Sequence, residues 1–525
     1  MKTSQLALAG IALLFVALRL PALSAPFTGD DLWVALSSES FAKSWKLEDL
    51  QVFMLGYDHQ GTGFVDLYKW KDHPPGSFVP WAVFSLLPVP LETSMRLLVL
   101  LANLGTLAFT YLLAKKIASE RTALFAAFLT AVSTYQVFHS SYLVEVTGSL
   151  VTLFTLASFY YLFKFIDSNS RKDFLPVVIA SALSVFTYFL ALIPLAFQCA
   201  VLALNGNRRE ALYLLLAPVT AMALFWAFVT YGLGSDYASG FLAYAFNPQS
   251  VTDAPTLYDS LYPKIVGAGL VATQLGTPLI ALFLISAFNS LKPMLSAKRL
   301  SSLVQNPDVL VVLFVVFHFA AIMLLRASKD RFFTPALPFV FIAVSGWLDR
   351  LDVKMDWKLI AVSAASILIV YYAAGVNDYM FYSYFVYQDP APIIAFALPL
   401  ALLPLYSIAR NRGQEIVLVL FGLFIGSSLY FVAFPLNNWT AAISSANAAL
   451  AHDSNPVVLS KSGYMLHTAA YYDYKTHNDS LSKTYIRLGL QDLKGFDELS
   501  YCQSFRTGKY PLYYSCTQEV LGELK

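Results

Sequence analysis

What most constrains this chain is a succession of apolar runs, each near the length of a bilayer crossing. The turns between them carry much of the Lys and Arg. Residues 5–25, 94–114, 121–138, 142–163, 211–231, 264–288, 308–325, 332–348, 359–376, 391–409 and 416–435 are such runs, close to the roughly 20 apolar residues that cross a bilayer as a helix. Charged residues make up 13% of the 525 residues and hydrophobic ones 57%, with a mean hydropathy of +0.59. So few charges cannot solvate the surface of a soluble protein of this size, so most of that surface faces lipid. The expected fold class is a polytopic α-helical membrane protein with 12–13 hydrophobic segments. A net charge of +2, with no basic block interleaved with aromatics, excludes nucleic acid as a partner.

Basic turns set the expected topology. Lys115, Lys116 and Arg121, then Lys164, Arg171 and Lys172, then Arg208 and Arg209, then Lys292, Lys298 and Arg299, and finally Arg410 and Arg412 read as cytoplasmic. The loop 26–75 and the tail from Asn437 then lie outside. That loop carries eight acids against four lysines, so the charge rule does not resist its placement. Residues 5–25 are either a signal peptide with Leu23-Ser24-Ala25 as cleavage site or a retained first helix; the many spans that follow favour retention. Residues 77–88, broken by Pro88 and Pro90, are expected to be interfacial or re-entrant. Residues 174–204, between two basic turns, require two short helices with a break near Pro194. The domain reading is a membrane unit over 1–436 and a small external mixed α/β unit over 437–525, with a strand at Pro456–Leu459. Cys502 and Cys516 share this tail and are candidates for a disulfide, worth roughly 3 kcal/mol in an oxidising compartment. No Cys/His cluster has metal spacing.

The chemistry-bearing residues are few. Thr28-Gly29-Asp30-Asp31 opens the first loop. An Asp beside a turn glycine is either a helix N-cap or, where it meets a hydroxyl or amine nucleophile, a general base. An N-cap needs one acid, and this loop has two in a row. Asp72-His73-Pro74-Pro75 closes the loop, either as a turn that fixes an extended entry or as an acceptor-shaping element. Glu145, about one turn into an apolar run, needs a partner or snorkels to the surface. Arg326-Ala327-Ser328-Lys329-Asp330-Arg331 is a basic turn on the side where basic turns are not expected. Either these side chains snorkel or the parity is off by one helix, or the turn is an anion site for a lipid phosphate. Arg96, at the outer start of its helix, is a second cation at that level or an interfacial anchor.

An acidic pair opening the first loop, His-Pro-Pro closing it, an Arg before the next span, and a late basic turn before Phe332-Phe333-Thr334-Pro335-Ala336-Leu337-Pro338 come in a fixed order. Over roughly residues 5–350 that order resembles the GT-C glycosyltransferases that use polyprenyl-phosphate (dolichyl-type) sugars, the protein O-mannosyltransferase and aminoarabinose-transferase group. The resemblance implies Asp30 as catalytic base with Asp31 beside it, where the family has Asp-Glu. It implies Arg96, Arg326, Lys329 and Arg331 around the donor phosphate, and Asp72, His73 and Glu145 on the acceptor side or shaping the loop. His73-Pro74-Pro75-Gly76 departs from the family's His-Pro-Pro-Leu. The implied activity is inverting transfer from a polyprenyl-phosphate sugar to a glycan, lipid or protein acceptor, at the outer face of a plasma, inner or ER-type membrane. No cofactor is required, although Asp30 with Asp31 or Glu145 offers a divalent metal ligands. The alternatives are a flippase or transporter of lipid-linked glycans, or an oligosaccharide ligase or polymerase.

Overall fold

Among the described residues Leu91–Ile117 forms the longest helix (α4), about 40 Å at 1.5 Å per residue. The computed structural model describes residues 3–27, 31–46, 51–57, 63–69, 75–141, 147–233, 277–295, 306–324, 330–351, 357–374, 413–433, 444–446, 448–450, 453–460, 463–477, 481–487, 502–507 and 510–517. The chain also forms α1 (Thr3–Ala17), α5 (Glu120–Val132), α6 (Thr134–Ser141), α7 (Thr152–Ser168), α8 (Arg171–Thr187), α9 (Leu192–Leu204) and α10 (Arg208–Leu233), of which α1, α5, α6 and α7 pack against α4. Beyond them come α11 (Thr277–Leu295), α12 (Pro307–Leu324), α13 (Leu337–Arg350), α14 (Trp357–Ala374) and α15 (Gly413–Ala433). Among the described residues five helical stretches are long and apolar enough to cross a membrane: Thr3–Ala22, Leu91–Ile117, Gly148–Ser168, Arg208–Ala227 and Arg331–Arg350. Shorter apolar helices lie at Phe189–Leu204, Pro278–Lys292, Pro307–Met323 and Gln414–Tyr430. The expected span 391–409 lies outside the described residues.

Apolar side chains point outward from these helices, among them Leu13, Leu101, Leu175, Val219, Val316 and Ile360, as a lipid-facing surface requires. Inside, Phe314 of α12 lies 4.6 Å from Phe159 of α7 and 4.5 Å from Phe339 of α13, centroid to centroid. Polar side chains tie helix to helix where no water competes. Gln198 donates to Ser158 at 2.6 Å and accepts from Ser181 at 3.1 Å, joining α7, α8 and α9.

The two ends of the bundle differ in chemistry. At one end Lys115 pairs with Glu120, Lys116 with Asp167, Arg121 with Asp349 (3.6 Å), Lys164 with Asp173 (2.9 Å) and Arg350 with Asp308. These are the turns that the charge rule places in the cytoplasm. Lys164 and Ser168 hold the Asp173 carboxyl below its ordinary value, against the opposing effect of burial. The opposite end carries the first loop and the tail.

Two sequence expectations shift. Residues 174–204 do make two short helices, but the chain breaks at Tyr188, which is extended (φ −161, ψ 138). Pro194 is the third residue of α9, in the first turn, where its missing N–H costs nothing. Residues 121–138 are not one helix, because Ser133 (φ −58, ψ 125) separates α5 from α6. The stretch 77–88 contains one helix of seven residues, α3 (Val79–Ser85), about 10 Å long and too short to cross. Val83, Leu86 and Leu87 are exposed along the stretch, as is Val89 just after it.

The first loop is more ordered than a polar run suggests. It holds α2 (Asp31–Ser44) and an antiparallel hairpin of β1 (Gln51–Tyr57) and β2 (Gly63–Lys69). The tail forms a mixed α/β unit: β3 (Val457–Ser460), α16 (Gly463–Thr476), β4 (Thr484–Arg487), β5 (Cys502–Thr507) and β6 (Tyr510–Cys516). Its sheet runs β4-β3-β6-β5, with β3 and β4 parallel across α16 and the other pairs antiparallel. Cys516 is disulfide-bonded and Cys502 stands directly opposite it in the β5–β6 register; Cys199 is free.

The tail sits on the first loop. Lys475 of α16 reaches Glu39 of α2 at 2.8 Å. Burial pushes the Glu39 carboxyl up, and the bond and charge of Lys475 pull it further down, so it titrates below its ordinary value. The contribution of this contact is therefore complete above the ordinary carboxylate value and is lost as pH falls from there through the lowered value of the folded state.

Candidate functional site

Of the residues the sequence singles out, Asp31, Arg96 and Arg331 have described side chains. Asp30, Asp72, His73, Glu145, Arg326 and Lys329 lie outside the described residues. Asp31 and Arg331 occupy the same end of the bundle. Arg96 is at the start of α4, and Lys115 and Lys116 are at its end among the ion pairs. The 3₁₀ turn Asp330–Ala336 feeds α13, whose far end, Arg350, joins the same ion pairs through Asp308. Both α4 and the 3₁₀ turn pack against α6 and the π-helical turn Thr147–Val151.

Asp31 begins α2, where a carboxylate meets the positive end of the helix dipole. It is fully buried, and its Oδ2 lies 4.0 Å from Nη2 of Arg96, itself 1% exposed. The Arg96 guanidinium is turned toward the backbone of the first loop. Nη1 donates to the Ala25 carbonyl, Nη2 donates to the Pro26 carbonyl at 2.9 Å, and the Phe27 ring lies 5.3 Å away.

Arg331 is half-buried. Thr334 Oγ1 donates to its carbonyl at 2.6 Å, and its guanidinium lies 5.9 Å from the Phe332 ring. The next carbonyl has an unusual partner. In a 3₁₀ turn the Phe332 carbonyl would accept from residue 335, but Pro335 has no N–H. His318 of α12, fully buried, faces it with Nε2 at 2.9 Å. With Nε2 protonated, the imidazole supplies the donor that proline removes.

Around these groups the packing leaves no slack. The His139 ring stacks on Tyr135 at 4.2 Å. A Cβ on Gly148, in the π-helical turn, would stand 2.8 Å from the His139 carbonyl oxygen. Arg19, fully buried at the end of the first apolar run, donates to Ser140 Oγ at 2.6 Å and to the Ala131 carbonyl at 3.1 Å. It thereby staples the first helix to the α5–α6 break. Gly76 accounts for the departure from His-Pro-Pro-Leu. A Cβ there would stand 2.7 Å from the Phe186 carbonyl oxygen and 2.8 Å from Thr187 Cα, so the end of α8 occupies the space that a leucine needs. Gly76→Leu should therefore destabilise the protein by at least the roughly 1–3 kcal/mol of overpacking, measured as a lower thermal midpoint in detergent.

Sequence reasoning missed Arg19, His318 and Tyr472. The first looks like the flank of an apolar run and the second sits inside one; Tyr472, described below, is one of many tyrosines in the tail. Among the described residues no three His, Cys, Asp or Glu side chains stand close enough to hold a metal ion.

The acid at the start of the first loop and the basic turn before a late span stand at one end of a GT-C-type fold. The structure of ArnT from Cupriavidus metallidurans bound to undecaprenyl phosphate matches with a TM-score of 0.58 at 14% identity, covering 98% of each chain. The apo structure of the same protein matches with a TM-score of 0.56 at 14% identity, over 96% of this chain and 98% of that one. In sequence, residues 72–231 match the family model described as dolichyl-phosphate-mannose-protein mannosyltransferase. No curated protein matches. The chain is thus similar to polyprenyl-phosphate-sugar glycosyltransferases in the order of its motifs, in one matched segment and in its whole fold.

Proposed function

We propose that this protein is an integral-membrane, inverting glycosyltransferase that moves a sugar from a polyprenyl-phosphate donor to an acceptor. The reaction is placed at the end of the bundle that carries the first loop and the C-terminal domain, on the external or lumenal side. The observation that carries this reading is that Asp31 and Arg331, some 300 residues apart in the chain, are at one end of a GT-C fold.

Attack at the anomeric carbon breaks the bond to the donor phosphate, so negative charge grows on the leaving oxygen. Fixed cations lower that barrier when they are in place before the reaction. Arg331 is assigned this role, with Lys329 and Arg326 of the same turn. The acceptor gives its proton to Asp30, and one base with direct displacement inverts the anomeric centre. Arg96, already committed to Asp31 and two backbone carbonyls, is assigned to orient the base loop. ArnT was solved with undecaprenyl phosphate, which favours a lipid of that class as the carrier here.

The test is transfer by the purified protein in detergent, with radiolabelled polyprenyl-phosphate sugars and extracts of the producing cells as acceptor. Label moving from lipid to a water-soluble, protein or lipid acceptor is the expected result. Transport has no meaning without a membrane. A protein that moves lipid-linked glycan across vesicles but transfers nothing in detergent overturns the reading in favour of a flippase.

A further inference from the structure

The backbone just ahead of Asp30 is gripped from two domains at once. The peptide unit joining Pro26 to Phe27 offers a carbonyl on one edge and an N–H on the other. Arg96 Nη2 donates to the Pro26 carbonyl at 2.9 Å. The Phe27 N–H donates to the Tyr472 hydroxyl, also at 2.9 Å. Tyr472 in turn donates to Glu92 Oε1 at 2.9 Å. Glu92 and Arg96 are one helical turn apart on α4, so the circuit closes: helix, guanidinium, peptide plane, phenol, carboxylate, helix.

A peptide plane bonded on one edge still swings about that bond. Bonded on both edges to groups anchored in one helix, it does not. The plane sets the direction in which the chain leaves Phe27, three residues before Asp30. We propose that Tyr472 is a positioning residue through which the C-terminal domain fixes the base-bearing segment of the first loop. This rests on the assignment of Asp30 as base.

Three further observations support it. Lys475, three residues on from Tyr472 along α16, holds Glu39 of α2 at 2.8 Å, so the same helix grips the chain on both sides of residues 28–30. The Tyr471 ring meets Phe27 edge-on at 6.5 Å and Tyr472 at 5.4 Å, which seats the phenol independently of its hydroxyl. Burial, and then the nearby Glu92 carboxylate, push the Tyr472 hydroxyl well up from its ordinary value, so it stays protonated and remains a donor to Glu92.

Tyr472→Phe removes one oxygen and keeps the ring. In the transfer assay kcat should fall on the order of 10- to 100-fold, the effect of a small misplacement of a reacting group, with donor KM close to that of the native chain. Glu92→Ala should reproduce the loss, and the double variant should be no worse than either alone, because both break one circuit. Glu92→Gln, whose side-chain oxygen still accepts the bond, should restore most of kcat. Hydrogen exchange at the Phe27 amide reads the clamp without any reaction: slow in the native chain, fast in Tyr472→Phe. Unchanged exchange at Phe27, or an active Tyr472→Phe protein with native kcat, overturns the proposal. A native chain that transfers no sugar but shows the exchange difference overturns the glycosyltransferase reading and leaves the clamp standing.

Discussion

Asp30→Asn should lower transfer by roughly 10²–10⁴-fold, the range for losing a general base, while the protein folds and binds donor as before. Asp31→Asn should do the reverse: its first effect is on the fold. The two acids are adjacent in the chain, and the burial and partner of Asp31 set its role apart. Asp31 is fully buried and faces Arg96 at 4.0 Å. A base must meet the acceptor's hydroxyl or amine, and a carboxylate sealed from the surface cannot. What a sealed carboxylate does well is answer a buried cation. Removing one partner of such a pair typically costs about 3–5 kcal/mol, because the other charge is left uncompensated. The Arg96 guanidinium would keep its bonds to Ala25 and Pro26 but lose its counter-charge, and the loop entry would loosen with it. Thermal midpoint and kcat per folded molecule, measured on both variants, separate the roles. Full activity in Asp30→Asn would remove the base assignment. A stable, slow Asp31→Asn would exchange the two.

Much of this architecture is legible because lipid leaves few choices. A run such as 94–114 has to satisfy its own backbone, so it is a helix, and the basic turns gather at one end of the bundle. The same logic puts the first loop and the tail at one end, which the Lys475–Glu39 contact bears out. Legibility fails where the cause is contact rather than composition. The break at Tyr188 carries no proline, because the end of α8 is set by what packs there, including the turn at Gly76. Pro194, the visible breaker, sits harmlessly in a first turn. The polar first loop contains the β1–β2 hairpin, whose strands alternate too weakly to stand out beside the apolar spans. In the candidate site the acids and the basic turn are visible as charges in costly places. The residues that aim them are not. Arg96 reads as a phosphate ligand because it is a cation at the right level, and only the fold reveals the carbonyls in front of it. His318 looks like one polar atom in an apolar run, and its use appears only when the Phe332 carbonyl, orphaned by Pro335, is placed beside it.

Arg331→Ala should lower kcat by about 10²–10³-fold, the cost of one fixed group that stabilises developing charge, with a smaller rise in donor KM. Arg331→Lys should recover part of the loss, since an ammonium keeps the charge but not the two-pronged geometry that fits a phosphate. Rigidity sets the size of the effect. A charge on a mobile turn has to be brought into place during each turnover, whereas this turn is held at two successive carbonyls. Thr334 Oγ1 holds that of Arg331 and His318 Nε2 that of Phe332. His318→Leu removes the second hold and leaves a buried carbonyl without the donor that Pro335 cannot supply. Its kcat should fall by less than that of Arg331→Ala, and combining the two should add little, because the histidine acts only through the turn. His318→Gln, whose side-chain amide still offers an N–H, should lie between His318→Leu and the native chain. If His318→Leu slowed the Arg331→Ala protein as much as the native one, the histidine would be serving something other than that arginine. If Arg331→Ala transferred sugar at the native rate, the leaving phosphate would have to be met elsewhere, by Lys329 or Arg326 of the same turn.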